Sequence, residues 1–194
     1  MSEVVLFHHI QGLTGGVRSF ADELRRAGHV VHTPDLFDGR TFATLDEGMA
    51  FAREVGFGAL GERGVAAAQA FDPAVVYAGM SFGVMVAQQL AQTRPGARGA
   101  ILMSACLPAS EFGEAWPNGV PLQVHGKDAD PFFFEEDLVA ARELVESTDD
   151  AELFLYAGDE HLFVDSSLDA YDAAATALLL ERVLPLLGLV TADA

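Results

Sequence analysis

The chain has 194 residues, a length that suits one domain, 1–194, large enough to bury a full core. Asp and Glu number 29 against 11 Lys and Arg, and the resulting net charge of −18 repels phosphate backbones and anionic lipid surfaces, which excludes nucleic acid and membranes as partners. The single cysteine, Cys106, excludes an internal disulfide and fits a reducing, cytoplasmic setting.

Met1–Phe7 has neither the positive charge nor the long apolar run of a signal peptide. Within it, Val4–Phe7 reads as a buried strand, followed by the loop His8–Gly16. Val17–Ala27 carries apolar residues at Val17, Phe20, Ala21, Leu24 and Ala27, a helical period that Gly28 ends. Val30–Thr33 is a second strand, closed by Pro34-Asp35. Helices are expected over Leu45–Glu54 and Gly61–Phe71, with Gly56, Gly58 and Gly61 between them. Ala74–Ala78 is a third strand, and Val84–Ala91 a helix rich in Ala, Met, Gln and Leu. Arg94-Pro95-Gly96 stops it. Ala100–Ser104 is a fourth strand, Cys106–Gly119 a loop, Pro121–His125 a fifth strand and Glu135–Val145 a helix. Glu152–Tyr156 is a sixth strand, and Leu168–Leu187 a closing helix bent or ended near Pro185. Interrupted by Glu181, Arg182 and Pro185, the apolar stretch 176–190 is too short and too charged to span a membrane. Strands alternate with helices throughout, so the fold class is α/β: about six mostly parallel strands with helices on both faces. The acidic clusters Glu135-Glu136-Asp137 and Asp149-Asp150 read as solvated faces.

The chemistry centres on Gly79-Met80-Ser81-Phe82-Gly83. This Gly-x-Ser-x-Gly lies between a strand and a helix, the setting of a nucleophile elbow. The turn is so sharp that side chains two residues either side of the serine would collide, and Gly79 and Gly83 remove them. A serine hydroxyl needs a base, and in this arrangement the acid and histidine follow from later strand ends. After the fifth strand comes His125-Gly126-Lys127-Asp128-Ala129-Asp130-Pro131, and after the sixth Ala157-Gly158-Asp159-Glu160-His161-Leu162-Phe163. Ser81, Asp130 and His161 are the expected nucleophile, acid and base. Asp130, before Pro131, is preferred over Asp128, which sits beside Lys127 as a solvated turn residue would. The oxyanion donors are the backbone N–H groups of Phe82 and, in the loop after the first strand, Ile10. His8 and His9 border that loop, with His9 expected to shape the substrate pocket; His29 and His32 are read as structural. His8, His9 and His125 lack metal-ligand spacing, so no metal is expected. Cys106 reads as a small buried apolar residue. Gly12–Gly16 lacks the Lys-Ser/Thr ending of a phosphate loop. Phe132, Phe133, Phe134 and Phe163 lie near the acid and base, where they form either an apolar rim or core; Phe132 and Phe163 are taken as pocket residues.

These residues resemble the dienelactone hydrolase family of α/β-hydrolases over Val4 to about Leu187. The carriers are His9-Ile10-Gln11-Gly12, Pro34-Asp35-Leu36-Phe37, the elbow, Asp130-Pro131-Phe132 and His161-Leu162-Phe163. The resemblance implies an α/β-hydrolase fold, a Ser or Cys nucleophile with Asp and His partners, and cleavage of esters or lactones without a cofactor. Two positions depart from the family: dienelactone hydrolases proper carry Cys where Ser81 stands and a Glu, which helps control that thiol, where His9 stands. By the same resemblance the sheet is expected to lack the first two strands of larger α/β-hydrolases, and Cys106–Gly119 is too short for a helical cap domain. The first reading is therefore a small serine hydrolase of carboxylic esters or lactones with an open site, acting on a small molecule as a monomer or homodimer. A thioesterase or acyl-peptide hydrolase on the same triad, and a non-catalytic binding protein of the same fold, are the alternatives.

Overall fold

A computed structural model describes residues 1–133 and 135–190. Six strands form one sheet: β1 (Glu3–Phe7), β2 (Val30–His32), β3 (Val76–Met80), β4 (Gly99–Met103), β5 (Leu122–Lys127) and β6 (Ala151–Tyr156). Their spatial order is β2-β1-β3-β4-β5-β6, and every pairing is parallel. The order reverses direction at β1 and β3, so the crevice beyond the carboxyl ends of those two strands is where such sheets place a ligand. Among the described residues the α-helices are α1 (Gly15–Arg26), α2 (Leu45–Val55), α3 (Phe57–Ala68), α4 (Phe82–Thr93), α5 (Glu136–Ser147) and α6 (Ala173–Leu189).

Alternate side chains of each strand feed two cores. Val4, Leu6, Ala78, Ile101 and Met103 face α1 and α6, meeting Phe20, Leu24, Leu179 and Val183. Val5, Phe7, Tyr77, Leu102 and Val124 face the other way, against Phe51, Leu60, Val86, Leu90 and Leu144 of α2 to α5. The central strands β3 and β4 are buried along their whole length, which explains their unbroken apolar sequence.

Several element boundaries differ from the sequence expectation by a few residues, and in α6, α3 and β5 the structure shows a local reason. The closing helix begins at Ala173 rather than Leu168, because the Asp172 carboxylate caps the N–H groups of Ala174 and Ala175 at 3.0 Å each. It also runs through Pro185 to Leu189. Helix α3 starts at Phe57, immediately after Gly56 at φ 96°, and takes in Gly58 and Gly61 instead of following them. Strand β5 continues two residues past His125, so Gly126 and Lys127 belong to the sheet. The strand gains from Gly126 being a glycine, since the Phe133 ring lies where a Cβ would be.

Small residues set how closely α3 packs on α4. A Cβ at Gly64 would sit 2.7 and 2.8 Å from the two Val86 methyls. Gly64→Val therefore overpacks this contact, and a loss of about 1–3 kcal/mol is expected in urea unfolding. An unchanged midpoint would contradict this packing.

Candidate active site

The elbow follows from its glycines. Ser81 has φ 47° and ψ −113°, outside the regions open to ordinary L-residues. A Cβ at Gly79 would lie 2.6 Å from Val84 N, and one at Gly83 would overlap the Phe7 and His8 carbonyl oxygens. Both positions therefore have to be glycine for α4 to leave β3 so abruptly. The Ser81 N–H donates to Met103 O at 2.7 Å, which ties the turn to β4.

Two further loops bring their side chains to this point. The Ser81 hydroxyl lies 2.7 Å from His161 Nε2, and His161 Nδ1 lies 2.7 Å from Asp130 Oδ2. The carboxylate accepts, so His161 carries its proton on Nδ1 and offers the Nε2 lone pair to the hydroxyl. Asp130 is fully buried, and its second oxygen accepts from Phe132 N–H at 2.9 Å. Phe133 N–H donates to Asp130 O at 3.1 Å, and the buried Phe133 ring anchors the turn against Gly126. Asp128 faces elsewhere and accepts from Gly158 N–H at 3.0 Å, joining the acid loop to the base loop.

Lys127, beside Asp128, lies inside the protein although lysine is mostly exposed. It is 1% exposed at the end of β5. Its ammonium donates to Ala157 O at 2.8 Å and Asp172 Oδ2 at 2.6 Å, and pairs with Glu160 at 3.1 Å. Burial alone would lower its pKa, but the bonds to Asp172 and Glu160 outweigh that and raise it. The lysine thus clamps both ends of the segment that carries His161.

The loop after β1 forms a tight turn. Gly12 N–H donates to His9 O at 3.0 Å, and Gly12 has φ 91°. His9 O also accepts from His8 Nδ1–H at 2.8 Å, while His8 Nε2 accepts Leu36 N–H at 3.0 Å. Burial holds the His8 imidazole down at about 4, so it is neutral at neutral pH. In a trans peptide the C=O and N–H point to opposite sides. With His9 O turned into the bend, the Ile10 N–H points out of it. Helix α2 packs directly behind, with Gly48 leaving room for the Ile10 carbonyl. On the other side of Ser81, the Phe82 N–H opens α4, where helix N–H groups have no partner within the helix. Register places the two segments together, since Phe7 pairs with Gly79.

Two expected pocket residues turn out to be buried structure. His9 is fully buried, with Nε2 at 2.7 Å from Asp165 Oδ2. Phe163 is also fully buried, its ring 5.3 Å from that of Tyr156 and beneath Lys127 in the α1–α6 core. His9 is turned inward by its bond to Asp165, and Phe163 because the chain turns back toward α6 directly after His161. Phe132 is different: it is 60% exposed, with its ring centroid 4.8 Å from that of His161. Phe134 lies outside the described residues. Cys106 is buried, which pushes its thiol well up and leaves it protonated, and nearby Asp137 adds to the effect. Asp137 is not a purely solvated residue, because it accepts the Cys106 N–H at 3.1 Å. A cavity of about 760 Å³, lined in part by Gln123, Phe154 and Arg182, opens at the other end of the sheet and holds none of this chemistry. Among the described residues no His/Cys/Asp/Glu group has metal-binding geometry, and no helix is long and apolar enough to cross a membrane.

The sequence reading assigns no role to Lys127, Gly48, Asp165 or Ser167, and does not pair Asp165 with His9 or Thr14. Only Asp165-Ser166-Ser167 carried a local signal, that of an Asx turn, which is a common loop feature.

The model of the dienelactone hydrolase family matches residues 1–190. The chain belongs to the dienelactone hydrolase family. Solved structures place the fold among the α/β-hydrolases. A putative dienelactone hydrolase from Klebsiella pneumoniae subsp. pneumoniae is similar at a TM-score of 0.72 and 15% identity, covering 97% of this chain and 87% of that one. A dienelactone hydrolase-like promiscuous phosphotriesterase from metagenomic libraries gives 0.75 and 19%, covering 98% and 87%. A thioesterase domain from the curacin biosynthetic pathway gives 0.62 and 17%, covering 92% and 90%. No curated protein matches the chain.

The geometry separates the two candidate acids. In Asp130→Asn the bond that holds the His161 tautomer is lost, and ester turnover should fall by about 10⁴-fold at unchanged melting temperature. In Asp128→Asn the side-chain oxygen still accepts from Gly158, and activity should stay near wild type. The reverse result would make Asp128 the partner of His161.

Proposed function

We propose that this family member is a serine hydrolase of small carboxylic esters or lactones. The observation that carries the reading is the hydrogen-bonded chain from Ser81 through His161 to the buried Asp130, with both links at 2.7 Å. Ser81 Oγ attacks the ester carbonyl while His161 Nε2 takes its proton. Asp130 holds the ring and stabilises the imidazolium. Negative charge develops on the carbonyl oxygen, where the N–H groups of Ile10 and Phe82 receive it. Collapse expels the alcohol, protonated by His161, and leaves an acyl group on Ser81. Water, activated by His161, then releases the acid. In a lactone the leaving alcohol stays attached through the ring. No cofactor enters these steps.

The substrate is small. Between β4 and β5 the chain carries only a loop with one short 3-10 turn, Ala109–Glu111, in place of a helical cap. Exposed Phe132 offers an apolar surface beside His161. A thioesterase would use the same residues, and the likeness to a thioesterase domain makes it the second reading.

Fluorophosphonate labelling followed by peptide mass spectrometry tests the proposal. Label should appear on Ser81 and vanish in Ser81→Ala. Short p-nitrophenyl esters should turn over faster than matched thioesters and faster than long-chain esters. Label on Cys106, or labelling that persists in Ser81→Ala, would overturn the assignment. A preference for thioesters would favour the second reading.

A further inference from the structure

We infer that Asp165 and His9 are positioning residues for the oxyanion turn: the buried Asp165 carboxylate fixes the His9 tautomer, and His9 in turn holds the backbone that presents the Ile10 N–H. The inference rests on the serine hydrolase reading above.

Asp165 lies four residues beyond His161 and is fully buried. Its Oδ2 accepts from His9 Nε2 at 2.7 Å and from the Thr14 hydroxyl at 2.5 Å. Its Oδ1 accepts from the Ser167 N–H at 2.8 Å and the Ser167 hydroxyl at 2.6 Å. Burial by itself would raise this carboxyl, but the bonds from His9, Ser167 and Thr14 prevail and hold it down at about 2. It is ionised at any working pH. Two features of α1 accommodate it: Thr14 is also the helix N-cap, accepting from Val17 N–H at 3.2 Å, and Gly16 leaves the space that Asp165 Oδ1 fills. The positive end of the helix dipole also favours an anion there. A buried carboxylate is costly where an apolar side chain would pack as well, so its retention calls for a use beyond packing.

That use lies in the His9 ring. Gln11 N–H donates to His9 Nδ1 at 3.2 Å, so Nδ1 is bare and the ring proton sits on Nε2. A carboxylate can only accept, so it enforces this tautomer. The other tautomer would set two N–H groups face to face at Gln11 and a lone pair against the carboxylate. With the ring locked, residues 9 to 12 cannot relax, and the direction of the Ile10 N–H is set. The same carboxylate belongs to the chain that follows His161. It therefore fixes the oxyanion turn and the general base relative to each other.

The test is Asp165→Asn, which keeps the volume and replaces one acceptor with a donor. Turnover of p-nitrophenyl acetate, normalised to sites titrated with a fluorophosphonate, should fall by about 10- to 100-fold in kcat, short of the roughly 10²- to 10³-fold loss from deleting an oxyanion donor outright. KM should change little. Imidazole ¹⁵N NMR should show His9 protonated on Nε2 in the wild type and lose that fixed tautomer in the variant. Combined with His9→Phe, the double variant should lose no more than the worse single one, because the two residues act in series. Should Asp165→Asn not fold, His9→Phe carries the same kinetic expectation. Wild-type kcat per titrated site, a loss confined to KM or to the number of titratable sites, or an unchanged His9 tautomer would each overturn the inference. A wild-type chain that neither hydrolyses esters nor takes the label would instead overturn the hydrolase reading, and the NMR comparison would still decide whether Asp165 sets the tautomer.

Discussion

Ser81 occupies a backbone conformation, φ 47° and ψ −113°, that costs a residue with a side chain on the order of 1–3 kcal/mol. Such strain persists only where the surroundings leave the chain no other path. Here the surroundings are the close approach of α4 to the Phe7 and His8 carbonyls, which tolerates no side chain at Gly83, and the contact of Gly79 with the same turn. The parallel register of β1, β3 and β4 then decides which other segments reach the serine. The turn that carries Ile10 leaves β1 beside β3, and the loops that carry Asp130 and His161 leave β5 and β6 at the same edge. Every element of the candidate site is a strand end or a turn that follows one, so the sheet supplies the common frame.

What fixes the loops is polar rather than apolar. Lys127 joins the end of β5 to Ala157, Glu160 and Asp172, and Asp128 joins the acid loop to Gly158. Asp165 joins the segment after His161 to the turn after β1. Lys127 and Asp165 are buried and hydrogen-bonded on several sides, the condition under which a buried polar group rigidifies its surroundings instead of destabilising them, while Asp128 adds one exposed link.

The sequence made the frame legible because it is encoded locally. Apolar strands spaced by helices announce a parallel sheet, and Gly-x-Ser-x-Gly between a strand and a helix announces the strained turn. Asp130 and His161 were legible through chain order, since each follows a strand that ends at the elbow. The misread residues are those whose surroundings come from far along the chain. His9 and Phe163 read as pocket residues because their sequence neighbours belong to the site, yet the fold turns both rings inward. Lys127 has no role in the sequence reading, because lysine is mostly exposed and its partners Glu160 and Asp172 lie more than 30 residues away. Asp165 is 156 residues from His9, and nothing near either one announces the pair. The start of α6 was misplaced because apolar Leu168 obscured the stronger signal, the cap at Asp172.

The central claim is that the Ser81 hydroxyl becomes a covalent nucleophile because His161 and Asp130 stand behind it. Rapid acid quench during turnover of p-nitrophenyl acetate, followed by peptide mass spectrometry, addresses it directly. The account predicts an acetyl group on Ser81 that forms in the wild type and is absent from His161→Ala. Ester cleavage with the acetyl group on another residue, or with none trapped on Ser81 at any quench time, would contradict it.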